Sequence, residues 1–289
     1  MRTANPFNIG IGTDALIGRK HEIEIFNSYI NSELGQHIAV IGSKGIGKTA
    51  LLKKFRQIAD KNKLSTVTIY LNKKTDDSEI ARKTKGIDSV FLEDLDKDEK
   101  IVESVEKIKS RIVVVSSISD KKISKENFII MKLKPLNEIE IKEFIEEKLK
   151  DKEIKVASGC LELIVEETEG HPFVLLLVLW NLYDKLKESE KIATRGHYLN
   201  CFSSTIELLS YNFFDDLYNE LSDGEKAVLK AVVKSKEGTP REIADICGKP
   251  LNTVTTLLLR LVESGNLIKI SRGKYRIFNR LYGKYVEII

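Results

Sequence analysis

Apolar positions recur with two different spacings along this chain, and the change of spacing divides it. Up to about residue 135, short apolar runs are separated by longer amphipathic stretches. The runs are Ile38–Ile41, Thr66–Leu71, Ser89–Leu92, Ile112–Val115 and Phe128–Leu133. They are rich in β-branched residues and too short for helices, so they read as strands. Ile23, Phe26, Tyr29 and Ile30 mark a helix before the first strand. Ala50, Leu51, Leu52, Phe55 and Ile58 mark another after it, a third is expected over about Glu99–Ser110, and a short one within Lys73–Gly86. Runs that are apolar throughout, without polar alternation, belong to strands covered on both faces. The pattern therefore predicts an α/β core with a parallel sheet.

Past Pro135 the strand pattern stops. Ile139, Ile141, Phe144, Ile145 and Leu149 outline an amphipathic helix, and a second lies near Leu161–Glu167. The segment Phe173–Leu186 is apolar almost all round, as expected for the centre of a small helical subdomain. Residues 187–211 are mixed and read as a connector. Further on, Val228, Leu229, Val232 and Val233 face inward from one helix. Thr239-Pro240-Arg241-Glu242 forms a capping box with proline in the first turn, and Gly248 stops the helix it opens. A third helix, about Leu251–Ser264, turns Val254, Leu257, Leu258 and Leu261 inward. Asn266–Ile270 and Tyr275–Phe278 then form a hairpin across Ser271–Lys274. Three helices and a hairpin predict a C-terminal winged helix-turn-helix. The expected division is 1–135 core, 136–205 helical lid subdomain and connector, and 206–289 winged helix.

Candidate chemistry begins where the first strand ends. Gly42-Ser43-Lys44-Gly45-Ile46-Gly47-Lys48-Thr49 fits the phosphate-loop pattern, with a strand before it and the helix from Ala50 after it. Glycines let backbone N–H groups approach phosphate oxygens, and the helix N-terminus adds a positive dipole end. Lys48 is expected on the β- and γ-phosphates and the Thr49 hydroxyl on Mg²⁺. The strand Ser89–Leu92 runs into Glu93-Asp94, the place for a Walker B acid. Glu93 is assigned to Mg²⁺ and Asp94 to the attacking water. This reverses the usual order of aspartate then glutamate, and the shorter Asp94 implies slow hydrolysis. Ser116, at the tip of the neighbouring strand, is placed to sense the γ-phosphate. Asn72 falls at the same carboxyl edge, where such sheets hold ligands.

Charge refines the far end of the chain. The whole carries a net +4, yet the segment from Pro240 onward holds nine Lys/Arg against four Asp/Glu. Lys249, Asn252, Thr253, Thr256 and Arg260 lie on the outward side of the third helix, with Arg272 and Lys274 at the hairpin tip. A basic tip beside a hydroxyl-rich helix suits double-stranded DNA; the alternative is a winged helix that packs on the core or binds protein. The longest apolar run, Phe173–Trp180, is far short of a membrane span, and the opening Met1–Pro6 has no apolar leader. Cys160, Cys201 and Cys247 are widely spaced and the histidines show no metal spacing, so a reducing cytoplasm is expected.

The order of these elements resembles archaeal ATPases of the AAA+/STAND superfamily. The resemblance rests on Ile17-Gly18-Arg19, the glycine loop, Glu93-Asp94, Leu133-Lys134-Pro135-Leu136, Gly170-His171-Pro172 and the terminal winged helix. It implies ATP or ADP and Mg²⁺ as ligands, an arm and lid around the nucleotide, and Arg19, His171 and Pro172 as nucleotide contacts. It also implies that Asn72 restrains the catalytic acid, and that a second copy or a protein is a partner. Archaeal origin-recognition initiators form a neighbouring family, and a STAND signalling switch is the other alternative. One departure counts against a fast motor. No arginine occurs between Arg111 and Arg195, the interval that holds the arginine finger and second sensor in relatives.

Overall fold

The computed structural model describes residues 4–7, 16–30, 37–72, 75–95, 102–120 and 123–289. They form two compact units, one over 14–134 and the other over 135–289 together with the described residues before position 14.

The first unit opens with α1 (Lys20–Ile30), followed by β1 (His37–Ile41), α2 (Lys48–Lys61), β2 (Thr66–Tyr70) and α3 (Asp77–Thr84). It continues with β3 (Ser89–Glu93), α4 (Val102–Glu106), β4 (Ile112–Ser117) and β5 (Phe128–Lys132). The strands make one sheet in the order β2-β3-β4-β1-β5, and every pairing is parallel. The five apolar runs of the sequence are these five strands. Their lack of polar alternation has the expected cause, because successive side chains enter two different cores. Ile38, Val40, Phe91, Ile112 and Val114 pack with Phe26, Leu51, Leu52 and Phe55 of α1 and α2. Ala39, Ile41, Val90, Leu92, Val113 and Val115 pack on the other face with Ile80 and Val105 of α3 and α4. Phe26 and Phe55 stack at 4.1 Å, tying α1 to α2. Complete burial of one such side chain stabilises by about 1.5–3 kcal/mol.

Register fixes what meets at the carboxyl edge. Ile41 lies opposite Ser117, and Leu92 lies opposite Val115. The loop after β1, Glu93 after Leu92 and Ser116 after Val115 therefore emerge side by side. The insertion of β4 between β1 and β3 makes this three-way meeting.

The second unit contains α5 (Glu138–Leu149), β6 (Lys155–Val156), α6 (Ser158–Thr168), α7 (Pro172–Lys185), β7 (Ile192–Ala193), α8 (Arg195–Asn200) and α9 (Phe202–Leu209). A π-helical turn, Ser210–Phe214, leads into α10 (Asp215–Asn219). The chain ends in α11 (Asp223–Ser235), β8 (Glu237–Gly238), α12 (Pro240–Cys247), α13 (Leu251–Glu263), β9 (Leu267–Ser271), β10 (Lys274–Ile277) and α14 (Arg280–Ile288). The Thr239–Glu242 capping box is present, and Gly248 closes α12 in the left-handed region. Not read from the sequence were the short β6–β7 pair, the helices and π-helical turn over 195–219, β8, which adds a third strand to the hairpin, and α14. Phe7 is buried against Phe144 and Tyr183, so the chain start is anchored on α5 and α7, whereas residues 8–15 of the expected arm lie outside the described residues.

The helical subdomain and the C-terminal elements share one unit because their surfaces interlock. Asn279, fully buried, donates its amide N–H to the Thr168 and Glu167 carbonyls at the end of α6 and caps α14 with its amide oxygen. His171, Phe213, Phe278 and Tyr282 form a continuous aromatic cluster. Arg276 pairs with Glu169, Arg280 with Glu166 and Lys284 with Glu167. Gly170 makes the crossing of the two sequence motifs Leu133–Leu136 and Gly170–Pro172 workable. It sits at φ +69°, accepts from the Leu136 N–H, and a Cβ there would lie 2.0 Å from the Leu136 carbonyl oxygen. Gly170→Ala is expected to destabilise by about 2 kcal/mol or more. Gly159→Ala, at an open helical position, should be neutral or stabilise by about 0.5–1 kcal/mol. Paired denaturant titrations of the two variants check both values.

Candidate functional site

The loop from Gly42 to Gly47 is shaped by three local constraints. Gly42 donates its N–H to Ser117 on β4, and a side chain on it would lie 2.7 Å from Ile46 Cγ2. Gly45 and Gly47 take φ values of 77° and 101°, which glycine adopts at little cost. Gly47 is the N-cap of α2 and no side chain caps that helix, so its first N–H groups face the loop rather than a hydroxyl or carboxylate. Such an end accommodates an anion. Ser43, Lys44 and Ile46 complete the loop, with Ile46 buried beneath it. Lys48 Nζ donates to the Gly42 and Ser43 carbonyls at 2.7 and 2.9 Å. Thr49 is exposed, and Ala50 continues the helix.

Glu93 is the opposite pole of the site. It is only 3% exposed, and the Thr49 side chain on the first turn of α2 lies beside it. Burial pushes its carboxyl above the ordinary range. The neighbouring Thr49 hydroxyl opposes this, Asp94 adds to it, and Lys53 and Lys48 oppose it more weakly. Lys53 escaped the sequence reading, although it lies four residues after Thr49 and hence on the same face of α2. A carboxylate held out of water beside a threonine hydroxyl has the oxygen donor set that Mg²⁺ prefers.

Asp94 leaves the strand at φ 64°, a left-handed conformation that aspartate tolerates better than most residues. Its N–H donates to Ser116 Oγ at 3.1 Å. Ser116 is thus tied to the backbone of the acidic pair. Asn72 stands two residues beyond β2 in a turn with Thr75, its side chain exposed. Arg19 is buried, with Gly18 and Arg19 both at positive φ. Its guanidinium donates to the Ile46 carbonyl at 3.0 Å and to Glu22 at 3.4 Å. The fold therefore brings Arg19, the glycine loop, Lys48, Thr49, Glu93, Asp94 and Ser116 into one neighbourhood.

His171 and Pro172 belong to the other unit. His171 is buried, its Nδ1 accepts from Val174 N–H as the N-cap of α7, and its ring packs on Phe213 and Phe278. Pro172 occupies the first turn. Both are used in building α7 and its contact with the C-terminal elements.

Of the residues read as DNA contacts, Asn252, Thr253, Thr256, Arg260, Arg272 and Lys274 are exposed and Lys249 is half-buried. Arg272 and Gly273 form the tight turn between β9 and β10, with Gly273 at φ +74°. The charge excess from Pro240 onward needs correcting for structure. Arg276, Arg280 and Lys284 face the α6 glutamates, which leaves six cations for the outward surface.

The sheet order, the glycine loop after β1 and the buried acid that closes β3 define a P-loop α/β fold. Solved structures agree. A Walker-type ATPase of Pyrococcus abyssi superposes with a TM-score of 0.74 at 13% identity, covering 98% of this chain and 99% of that one. The RuvB Holliday junction branch migration motor of Thermotoga maritima gives 0.57 at 16% identity, covering 94% and 95%. No protein-family model and no curated protein sequence matches the chain. Among the described residues, no helix is long and apolar enough to cross a membrane, and no group of three or more His, Cys, Asp or Glu could hold a metal.

The Glu93 shift has a testable sign. A carboxyl whose folded pKa is raised binds more protons in the folded than in the unfolded state between the two pKa values. Without nucleotide or metal, stability should therefore fall as pH rises from 4.5 through the folded value. Glu93→Gln keeps the shape and removes the charge. It is expected to raise the melting temperature at pH 7 and flatten that fall, measured by thermal melts across the acid range.

Proposed function

We propose that this protein binds ATP with Mg²⁺, hydrolyses it slowly, and uses the nucleotide state to gate duplex DNA binding by a C-terminal winged helix. The single observation that carries the nucleotide half is the burial of Glu93, the acid that closes β3 beside the glycine loop and Thr49. A carboxylate buried there is costly unless something compensates it, and a divalent cation bridging to a phosphate does so. The loop N–H groups and Lys48 receive the phosphates, Thr49 and Glu93 hold the metal, and Asp94 orients water. Arg19 supports the loop from behind through the Ile46 carbonyl, and Asn72 and Ser116 position the acidic pair.

Slow turnover follows from two features. Asp94 is one methylene shorter than the glutamate usual at the second position of such a pair. The interval between Arg111 and Arg195 supplies no arginine to neutralise transition-state charge, a contribution of about 10³–10⁵ in rate where present. A switch is favoured over a motor on these grounds.

The DNA half rests on the exposed α13 face, the basic β9–β10 tip and the likeness to a protein described as a branch migration motor for Holliday junctions. Coupling is supported by the shared unit. Because α6, α7 and the C-terminal elements interlock, any movement of the helical subdomain on nucleotide carries α13 and the hairpin with it. A change of protomer number on binding is a further readout of the same switch.

Lys48→Ala should abolish ATP binding, by at least about 100-fold in titration calorimetry; retained tight binding would remove the site assignment. Arg272→Ala with Lys274→Ala should weaken DNA binding and reduce the salt slope by about 2. An unchanged slope in a fluorescence-anisotropy titration excludes the hairpin from the interface.

A further inference from the structure

The stripe of α13 directly opposite the core is short of hydrogen-bond donors, with the exposed Thr253 and Arg260 lying to one side of it, and this bears on which bases it can read. At about 100° per residue, Asn252, Thr256, Leu259 and Glu263 form one stripe opposite the buried Val254, Leu257, Leu258 and Leu261. Leu251 and Leu259 are 47% and 48% exposed, unusual on a helix whose inner face already supplies the core. Thr256 Oγ1 donates to the Asn252 carbonyl at 3.1 Å, and Thr255 Oγ1 donates to the Leu251 carbonyl at 2.9 Å. Their hydroxyl protons are thereby committed to the helix backbone, leaving hydroxyl lone pairs and methyl groups for a partner. Arg260, the cation of this helix, lies about 12 Å further along the axis from Asn252, toward the end remote from the helix start.

We infer that this stripe reads A·T base pairs in the major groove, through thymine methyl groups and adenine rather than through guanine. The inference rests on the DNA reading above and gives it a specificity. Charge favours duplex DNA as the occupant of the partly apolar face, because the exposed Arg260 lies on the same helix and the hairpin that follows it carries the exposed cations Arg272 and Lys274. Guanine offers only acceptors, N7 and O6, in the major groove, so it requires donors. Along the first turns of the stripe the donor is the Asn252 amide. That amide carries one donor and one acceptor group, the complement of adenine N7 and N6. The Thr256 methyl and Leu259 offer the apolar contact that a thymine C5-methyl takes, and the Thr256 lone pairs can accept from adenine N6.

The test uses the full chain with ATP and Mg²⁺, titrated by fluorescence anisotropy against three duplexes of equal length. One is A·T-rich, one is G·C-rich, and one is the A·T-rich sequence with uracil for every thymine. Uracil keeps O4 and the base pairing and lacks only the C5-methyl. The A·T duplex should bind about tenfold more tightly than the G·C duplex. Uracil should cost about fourfold for each thymine methyl covered. Leu259→Ala should bring the thymine and uracil duplexes together, and Asn252→Ala should narrow the gap between A·T and G·C. Equal, salt-sensitive binding of all three duplexes overturns this inference and leaves the DNA reading standing. An A·T preference fully kept by the uracil duplex also overturns it, by placing the readout outside the methyl-lined groove. Loss of salt-sensitive binding to every duplex removes the DNA reading and this inference with it.

Discussion

Glu93 is held out of water at the end of β3, against the first turn of the helix that follows the glycine loop. Burying a carboxylate disfavours its charged form, and the raised proton affinity of this one shows that Thr49 and the two lysines do not fully offset the cost. Much of the core exists to keep that arrangement. β4 separates β3 from β1, so Ser116 can hold the Asp94 N–H while Ser117 accepts from Gly42. Arg19 fixes the far side of the loop. These contacts are local, but each depends on strand register. A one-residue slip of β3 would turn Glu93 to the other face and place Leu92 in the loop mouth.

The second unit depends on a different constraint, the electrostatics of one helix end. α6 finishes with Glu166, Glu167 and Glu169, carboxylates placed where the helix dipole is negative. Arg276, Arg280 and Lys284 answer them, yet the ion pairs are not the main adhesive. Arg280 and Glu166 are about half exposed, and such pairs contribute about 0–1 kcal/mol. Burial raises the Glu169 carboxyl in spite of Arg276. The stronger contributions are the buried Asn279 amide on two α6 carbonyls and the aromatic cluster around Phe213 and Phe278. The cations therefore set register and orientation, and apolar burial supplies the stability.

The core strands were legible because their sequence periodicity follows directly from having helices on both faces. The capping box at Thr239–Glu242 was legible because its two residues satisfy each other locally. The glycine loop was legible because its chemistry is confined to consecutive residues. What escaped depends on distant contacts. β8 is two residues long and acquires strand geometry only from Tyr275 and Arg276 across the sheet. α14 carries Arg280, Lys284 and Glu287 among its apolar residues and is defined by α6, more than a hundred residues earlier. The π-helical turn shifts the phase of a helix by one residue, which buries Phe213 and Phe214 together and hides the period. His171 illustrates the converse. The motif marks it as a ligand contact, and the structure adds a local use, with Nδ1 capping α7 and the ring packed on Phe213 and Phe278.

In the proposed function, ligand bound at the glycine loop beside a buried acid moves a C-terminal surface that is packed on the helical subdomain. Equilibrium affinity for duplex DNA at two salt concentrations, with and without ATP and Mg²⁺, tests that most directly. The account predicts affinity that falls steeply with salt and shifts by about fivefold or more with nucleotide. DNA affinity that is the same with and without nucleotide, or that does not change with salt, would contradict it.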